Sequence, residues 1–233
     1  MEFQSPLVPA RLLRRYKRFL ADIRLEDGRE VTAHCANPGA MTGLADPGLR
    51  IWVEPNDDPR RKLGWSWKLV ELPGGHFAGI DTGLPNRLVR EALEARAIPA
   101  VQGYESIWAE VKYGRASRVD FLLDGPSGRT YLEVKNVHLR RDGTWAEFPD
   151  CVTARGARHL DELAAMVAAG HRALTLYVVQ RSDCTGFRLA ADIDPAYAAA
   201  FARARAAGVG AICHGTRIGI SGVTLAGPLP VAA

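Results

Sequence analysis

The sequence predicts an α+β protein of two units: a small β-barrel, then a mixed α/β domain. Three observations predict it. The first eighty residues are short alternating strands with turn punctuation and no helical period. A helical period first appears at Pro85. From there strands and helices interleave around two apolar strands that carry an unexpected group of charges. With 233 residues the chain has room for two small domains, and residues 1–82 and 83–233 are the expected division.

The bulk properties narrow the class. A chain 47% hydrophobic and 24% charged has the composition of a folded globular protein, not a disordered one. No apolar run approaches the roughly 18 residues that span a bilayer, so no membrane partner is expected. Met1–Ser5 does not open a signal peptide, because the basic residues after it lead into Phe19, Leu20 and Asp22 instead of an apolar stretch. Cys35, Cys151, Cys184 and Cys213 are scattered, without a Cys-x-x-Cys pair, so neither a zinc site nor a disulfide framework is expected. A cytoplasmic setting follows from these features. The net charge of +4 permits nucleic-acid binding.

In chain order, Arg11 to Arg18 comes first, with five cations in eight residues. It runs into an alternating strand from Phe19 to Leu25. Asp27-Gly28 is a hairpin turn, and Arg29 to Cys35 is the return strand. Asn37-Pro38-Gly39 and Asp46-Pro47-Gly48 mark loops. Leu49–Glu54, Trp65–Leu72 and His76–Ile80 complete a set of about five strands, for which an OB-fold-like barrel is the natural architecture. Pro85–Ala97 is an amphipathic helix, with Leu88 and Ala92 on its apolar stripe. Tyr104–Tyr113, Ser117–Asp124 and Thr130–Val137 are strands, the last two joined by the turn at Gly125-Pro-Ser-Gly128. Thr153 caps a second helix that stops at Gly170. A buried strand from Ala173 to Gln180, a third helix with Pro195 at its first position, and strands at Val209–Cys213 and Gly219–Leu225 finish the domain.

The charges sit on the central hairpin. Glu133 and Lys135 are two apart on a strand and face the same way, and Asp120 on the preceding strand can join them. Two carboxylates beside a lysine on apolar strands are costly unless they bind something. Carboxylate oxygens suit Mg²⁺, which keeps several waters and leaves room for a phosphate oxygen. The lysine can then orient a water or neutralise developing charge. Solvated cross-strand pairs are the plain alternative.

Helix, hairpin with Asp and Glu-x-Lys, then helix and strand resembles the PD-(D/E)xK nuclease superfamily. Ser117-Arg-Val-Asp-Phe-Leu-Leu, Leu132-Glu-Val-Lys-Asn-Val, the run from Phe148 to Leu163 and Val178-Val-Gln-Arg look more closely like the sugar fermentation stimulation protein A family. Ala33 to Met41 and Pro85-Asn86-Arg87-Leu88-Val89 are similar to it as well. The resemblance spans nearly the whole chain. It implies an OB-fold followed by a nuclease-like domain, DNA binding without marked sequence preference, a cytosol of bacteria or archaea, and a link to sugar, particularly maltose, metabolism. By the superfamily's signature, Asp120 and Glu133 would hold Mg²⁺ or Mn²⁺ and Lys135 would assist a water. Glu91, with Glu94 as alternative, would be the supporting carboxylate from the preceding helix. Val119 stands where the strict motif has proline.

Further residues complete the expected DNA path. Arg14, Arg15, Lys17 and Arg18, then Arg61 and Lys62, supply phosphate contacts. Trp67 on a barrel face can stack an unpaired base or else belong to the core, as can Trp65. Arg155, His159 and Glu162 share a helix face, from which Arg155 and His159 either address a phosphate or form a surface network. Gln180 at the end of its strand either lines the site or caps the sheet. Two functions fit: a metal-dependent enzyme that hydrolyses DNA phosphodiesters, or a catalytically silent, nonspecific DNA-binding regulator of sugar metabolism.

Overall fold

A computed structural model describes residues 1–114 and 117–232. The cationic stretch near the amino terminus is itself a strand, β1 (Val8–Tyr16). Its alternation is hidden in the sequence by the cations: Ala10 and Leu12 point inward while Arg11 and Arg14 point out. With β2 (Leu20–Leu25), β3 (Glu30–Cys35), β4 (Arg50–Pro55) and β5 (Trp65–Leu72) it forms a barrel. Neighbours run β3-β2-β1-β4-β5, and a parallel contact of His34 with Ser66 and Cys35 with Trp67 closes the ring. Closure leaves no free edge, and the interior fills with Leu12, Ile23, Ile51 and Trp67. Trp67 is only 1% exposed, and its ring N–H donates to the Leu69 carbonyl at 3.0 Å. It is therefore core, correcting its expected place on a DNA-stacking face. Trp65, two residues earlier, packs partly buried at the barrel's rim.

β6 (His76–Gly79) extends the barrel sheet alongside β5 and leads to α1 (Leu84–Glu94). The second sheet comprises β7 (Ser106–Tyr113), β8 (Ser117–Gly125), β9 (Gly128–Val137), β11 (Arg172–Val179), β13 (Gly210–Gly219) and β14 (Gly222–Pro228), in the order β14-β13-β11-β9-β8-β7. β7, β8 and β9 form an antiparallel meander, and β11 lies parallel to both β9 and β13. Gly125 pairs with Gly128, so the expected turn contains only Pro126 and Ser127. Parallel pairing needs crossovers. α2 (Ala154–Ala168) and α3 (Pro195–Ala206) supply them and cover one face, where Leu160 and Leu163 meet Tyr197 and Ala200. α1 covers the other, placing Val89 and Leu93 against Phe121, Leu132 and Leu176. Thr153 and Asp194 cap α2 and α3 as their positions require, accepting from the Gly156 and Tyr197 amides.

Besides β1, two further strands carry no sequence signal. β10 (Trp145–Phe148) and β12 (Gly186–Leu189) pair in parallel beside the main sheet. Four residues are too few to display a period. Gly186 is required there: a Cβ would come within 2.5 Å of the Trp145 ring.

The barrel and the second sheet are stitched together at Gln180. The Gly79 amide donates to the Gln180 carbonyl at 2.9 Å. The Gln180 side-chain amide donates to the Asp81 carbonyl at 3.0 Å and to Asn136 Oδ1 at 2.5 Å. Gln180 is fully buried in this seam. It neither lines an open site nor addresses a phosphate, which corrects that expectation. A second tie joins the barrel loop after β3 to the segment before α2. The Ala40 amide donates to Asp150 Oδ2 at 3.1 Å, and that oxygen also meets His138 Nε2 at 3.3 Å.

Candidate metal centre

The centre lies where two strands part. The β8–β9 ladder runs from Gly125 opposite Gly128 to Phe121 opposite Leu132, and there it ends. β8 continues against β7, and β9 continues against β11. At the fork, Asp120 replaces the missing strand partner: its Oδ2 accepts the Val134 amide at 2.7 Å. Its Oδ1 accepts from the Asn86 side chain at 2.7 Å. Alternation turns Val134 into the α1-side core, and Glu133 and Lys135 toward the helix α2 side.

Glu133 is 3% exposed, and two donors converge on one of its oxygens. Lys135 Nζ reaches Oε1 at 2.7 Å, and His159 Nδ1 reaches the same atom at 2.5 Å. Arg155 Nε donates to His159 Nε2 at 3.3 Å, so the imidazole proton resides on Nδ1, facing the glutamate. Glu133 Oε2 is buried and has no hydrogen-bond partner among the described residues. A fully buried carboxylate oxygen without a donor is costly and is suited to a cation.

The charges follow from this geometry. Burial pushes the Asp120 carboxyl up to about 6, the negative Glu133 adds to the effect, and the Val134 and Asn86 donors oppose it. Burial also works against the Glu133 charge, but the His159 hydrogen bond and the Lys135 ammonium outweigh it and hold the group below its ordinary value. Tyr113 and Glu162 adjoin the pair. The Tyr113 phenol is raised by burial first, then by Glu133, Glu162 and Asp120, so three carboxylates surround it. The Tyr113 hydroxyl, Glu162 Oε2 and Thr175 Oγ1, like Glu133 Oε2, are buried without a partner among the described residues. Among the described residues, no group of three or more His, Cys, Asp or Glu side chains is gathered closely enough to hold a metal alone. Two carboxylates with waters remain a donor set that Mg²⁺ accepts, and the free Oε2 fits it.

Asp120, Glu133 and Lys135 thus come together at the fork. Glu91 does not. It salt-bridges the amino-terminal ammonium at 3.0 Å and is half exposed. Five residues along a helix turn it about 140° away from Asn86, which faces Asp120. The helix therefore contributes an amide to the site, not a carboxylate. The alternative, Glu94, pairs with Arg90 at the surface. On α2, His159 is buried against Glu133 and does not address a phosphate, which corrects that expectation; Arg155 remains exposed. Asn86 falls in the Pro85–Val89 stretch that resembles the family, which by itself assigns it no role, and Tyr113 carries no sequence signal beyond lying on an expected strand.

The basic residues divide. Arg14 pairs with Asp22 at 2.7 Å. Arg15 is spent on the barrel loop, donating to the Asn37 carbonyl at 2.7 Å and the Gly39 carbonyl at 3.0 Å, so its expected phosphate role is replaced by bracing. Lys17 and Arg18 are exposed. Arg61 and Lys62 line a surface groove with His34 and Ser66.

Comparison with known proteins agrees with this architecture. Residues 13–80 match the family described as the SfsA N-terminal OB domain, and residues 83–222 match the sugar fermentation stimulation protein RE domain. A sugar fermentation stimulation protein homolog from Jannaschia sp. is 65% identical over 99% of this chain and 97% of its own length. One from Ruegeria pomeroyi is 63% identical over 97% and 99%. Among solved structures, SfsA of Pyrococcus furiosus in complex with Ca²⁺ is 29% identical, with a TM-score of 0.89 over 100% of this chain and 98% of that one. No described helix is long and apolar enough to cross a membrane. With both halves matched in order and relatives of high identity along its full length, this chain belongs to the sugar fermentation stimulation protein family.

Proposed function

We propose that the protein is a divalent-metal-dependent phosphodiester hydrolase acting on DNA. The observation that carries this reading is Glu133, pinned through Oε1 by Lys135 and His159 while Oε2 is buried and unpartnered among the described residues, with Asp120 near enough for the two charges to interact. The large majority of buried side-chain polar atoms have a hydrogen-bond partner, so a buried carboxylate oxygen without one calls for an explanation. The Ca²⁺ bound by the Pyrococcus relative supports a divalent cation here. Mg²⁺ or Mn²⁺ is the working ion proposed, held by Asp120 and Glu133; when bound it polarises a phosphoryl oxygen and acidifies a water. Lys135 neutralises charge on the phosphoryl oxygens or orients the water. His159 keeps Glu133 in a single orientation. Arg155, exposed at the mouth, meets a neighbouring phosphate. Lys17, Arg18, Arg61 and Lys62 hold the backbone without reading sequence. The proposed setting is cytoplasmic.

A second reading is a DNA-binding regulator of sugar metabolism that does not turn over. It is favoured by the two-carboxylate site and by Lys135 being engaged with Glu133. Single-stranded, duplex and branched DNA incubated with Mg²⁺, Mn²⁺ or a chelator separates the two. Metal-dependent cleavage that disappears in Lys135→Ala supports the hydrolase. Salt-sensitive binding with no cleavage of any substrate supports the regulator. Cleavage that persists in Lys135→Ala moves the chemistry away from this site.

A further inference from the structure

β1 turns into β2 through Lys17, Arg18 and Phe19, since Tyr16 pairs with Leu20. Lys17 and Arg18 have φ of 48° and 62°, the left-handed region. That region is unfavourable for L-residues, and neither position has the glycine, asparagine or aspartate that tolerates it. The tip is nevertheless held firmly. The Cys35 amide donates to the Phe19 carbonyl at 2.8 Å, and Arg15 Nε donates to the Arg18 carbonyl at 3.1 Å. The outcome is a fixed projection carrying two cations and a phenyl ring that is 46% exposed. Phe19 is absent from the barrel core.

The projection faces the second domain. Arg15 also holds the Asn37 and Gly39 carbonyls, and Ala40 in the same loop donates to Asp150. Arg18 is near enough to Cys151 for its charge to bear on the thiol. Cys151 and Val152, the latter 73% exposed, lead directly into α2. From Ala154, five residues of helix rise about 7.5 Å to His159, which contacts Glu133. An exposed aromatic flanked by cations, beside a phosphodiester-type site, matches what an unpaired nucleotide needs: a flat apolar face and two anchored phosphates. We propose that the Lys17-Arg18-Phe19 tip is a stacking wedge that seats an unpaired base of single-stranded or branched DNA next to the Asp120–Glu133 centre. This rests on the DNA hydrolase reading and names its substrate class. Phe19 stacks on the base, and Lys17 and Arg18 meet the phosphates on either side.

The test is equilibrium binding of the full chain, with chelator present so that nothing is cut. Three labelled DNAs of one sequence are used: a single strand, a duplex, and a duplex with a single-stranded flap. Wild type is expected to prefer the single strand and the flap. Phe19→Ala weakens both by roughly five- to 150-fold and changes duplex binding less than twofold, while Phe19→Trp preserves the preference. Lys17→Gly/Arg18→Gly suits the backbone better and reduces the salt dependence by about two phosphate contacts. Wild type that prefers unpaired DNA while Phe19→Ala binds it equally well overturns the wedge. So does wild type that binds duplex as well as it binds the unpaired strands, and in that case the hydrolase reading stands. Wild type that binds none of the three DNAs removes the hydrolase reading and the wedge together.

Discussion

Asp120→Asn reports directly on the strain stored at the strand fork. The Asp120 carboxyl moves from an ordinary 3.8 to about 6, chiefly by burial and then by Glu133. An acid raised on folding stabilises the protein in its protonated form. That contribution is complete below pH 3.8 and is lost as pH rises through about 6. In cation-free solution near pH 8, the ionised group therefore costs about 3 kcal/mol relative to acid solution, at 1.36 kcal/mol per pH unit of displacement. Asparagine keeps the shape and removes the charge. Its oxygen still accepts the Val134 amide, and Asn86 accepts the new amide hydrogen by rotating its own amide. Near pH 8 in chelator, the variant is expected to be more stable than wild type by up to about 3 kcal/mol, or roughly 6–12 °C in Tm for a chain of this size. The gap closes near pH 4, where both residues are neutral. Excess Mg²⁺ reverses the order, because only wild type offers the ion both the Asp120 and the Glu133 carboxylates. Thermal melts across pH, with and without Mg²⁺, measure all three effects. A variant less stable than wild type at both pH values in chelator would refute the reasoning: Asp120 would then be a hydrogen-bonding anchor and not a strained ligand.

Other residues give independent checks. His159→Ala removes one donor from Glu133 Oε1 and should weaken Mg²⁺ binding about 10- to 100-fold by calorimetry, with His159→Asn restoring part of the loss; unchanged affinity would show that Glu133 does not need its orienting partner. Asp150 is opposed by burial but held down to about 2 by His138, so its stabilisation is present above the ordinary 3.8 and lost as pH falls through about 2. Asp150→Asn should accordingly cost about 2 kcal/mol near pH 7 in denaturant melts and nothing in strong acid; an equal loss at both would deny the charge a role. Trp67→Ala should destabilise by about 3–5 kcal/mol as a core truncation, whereas a loss of DNA affinity at unchanged stability would return it to the surface role.

The legible parts of the site were those with a short period. Glu133 and Lys135 two residues apart on an apolar strand, and Asp120 one hairpin away, are visible because alternation fixes their side. Helix phase is harder to read. Glu91 and Asn86 occupy the same helix, and only packing against Phe121 and Leu132 decides which faces the strands. His159 could be grouped with Arg155 from spacing, yet its partner Glu133 lies 26 residues away, across a crossover that spacing does not describe. β1 was masked by its arginines, and β10 and β12 were too short to show a pattern. Trp67 illustrates the opposite limit: parity of position cannot separate a barrel's lumen from its outer surface until the ring has closed.

Gln180 has a mechanical consequence. A glutamine buried between Gly79, Asp81 and Asn136 joins the halves the way a rivet joins the legs of a caliper. Gly79 permits the joint, since a Cβ there would meet Gln180 Oε1 at 2.6 Å. On the proposed chemistry, a loose joint would let the gap between the Phe19 tip and the Asp120–Glu133 centre wander, and cut ends would be ragged. A locked one sets the gap, so on the proposed chemistry the fragments should share a single offset from the branch point. Gln180→Ala should then blur the fragment ladder before it slows the reaction.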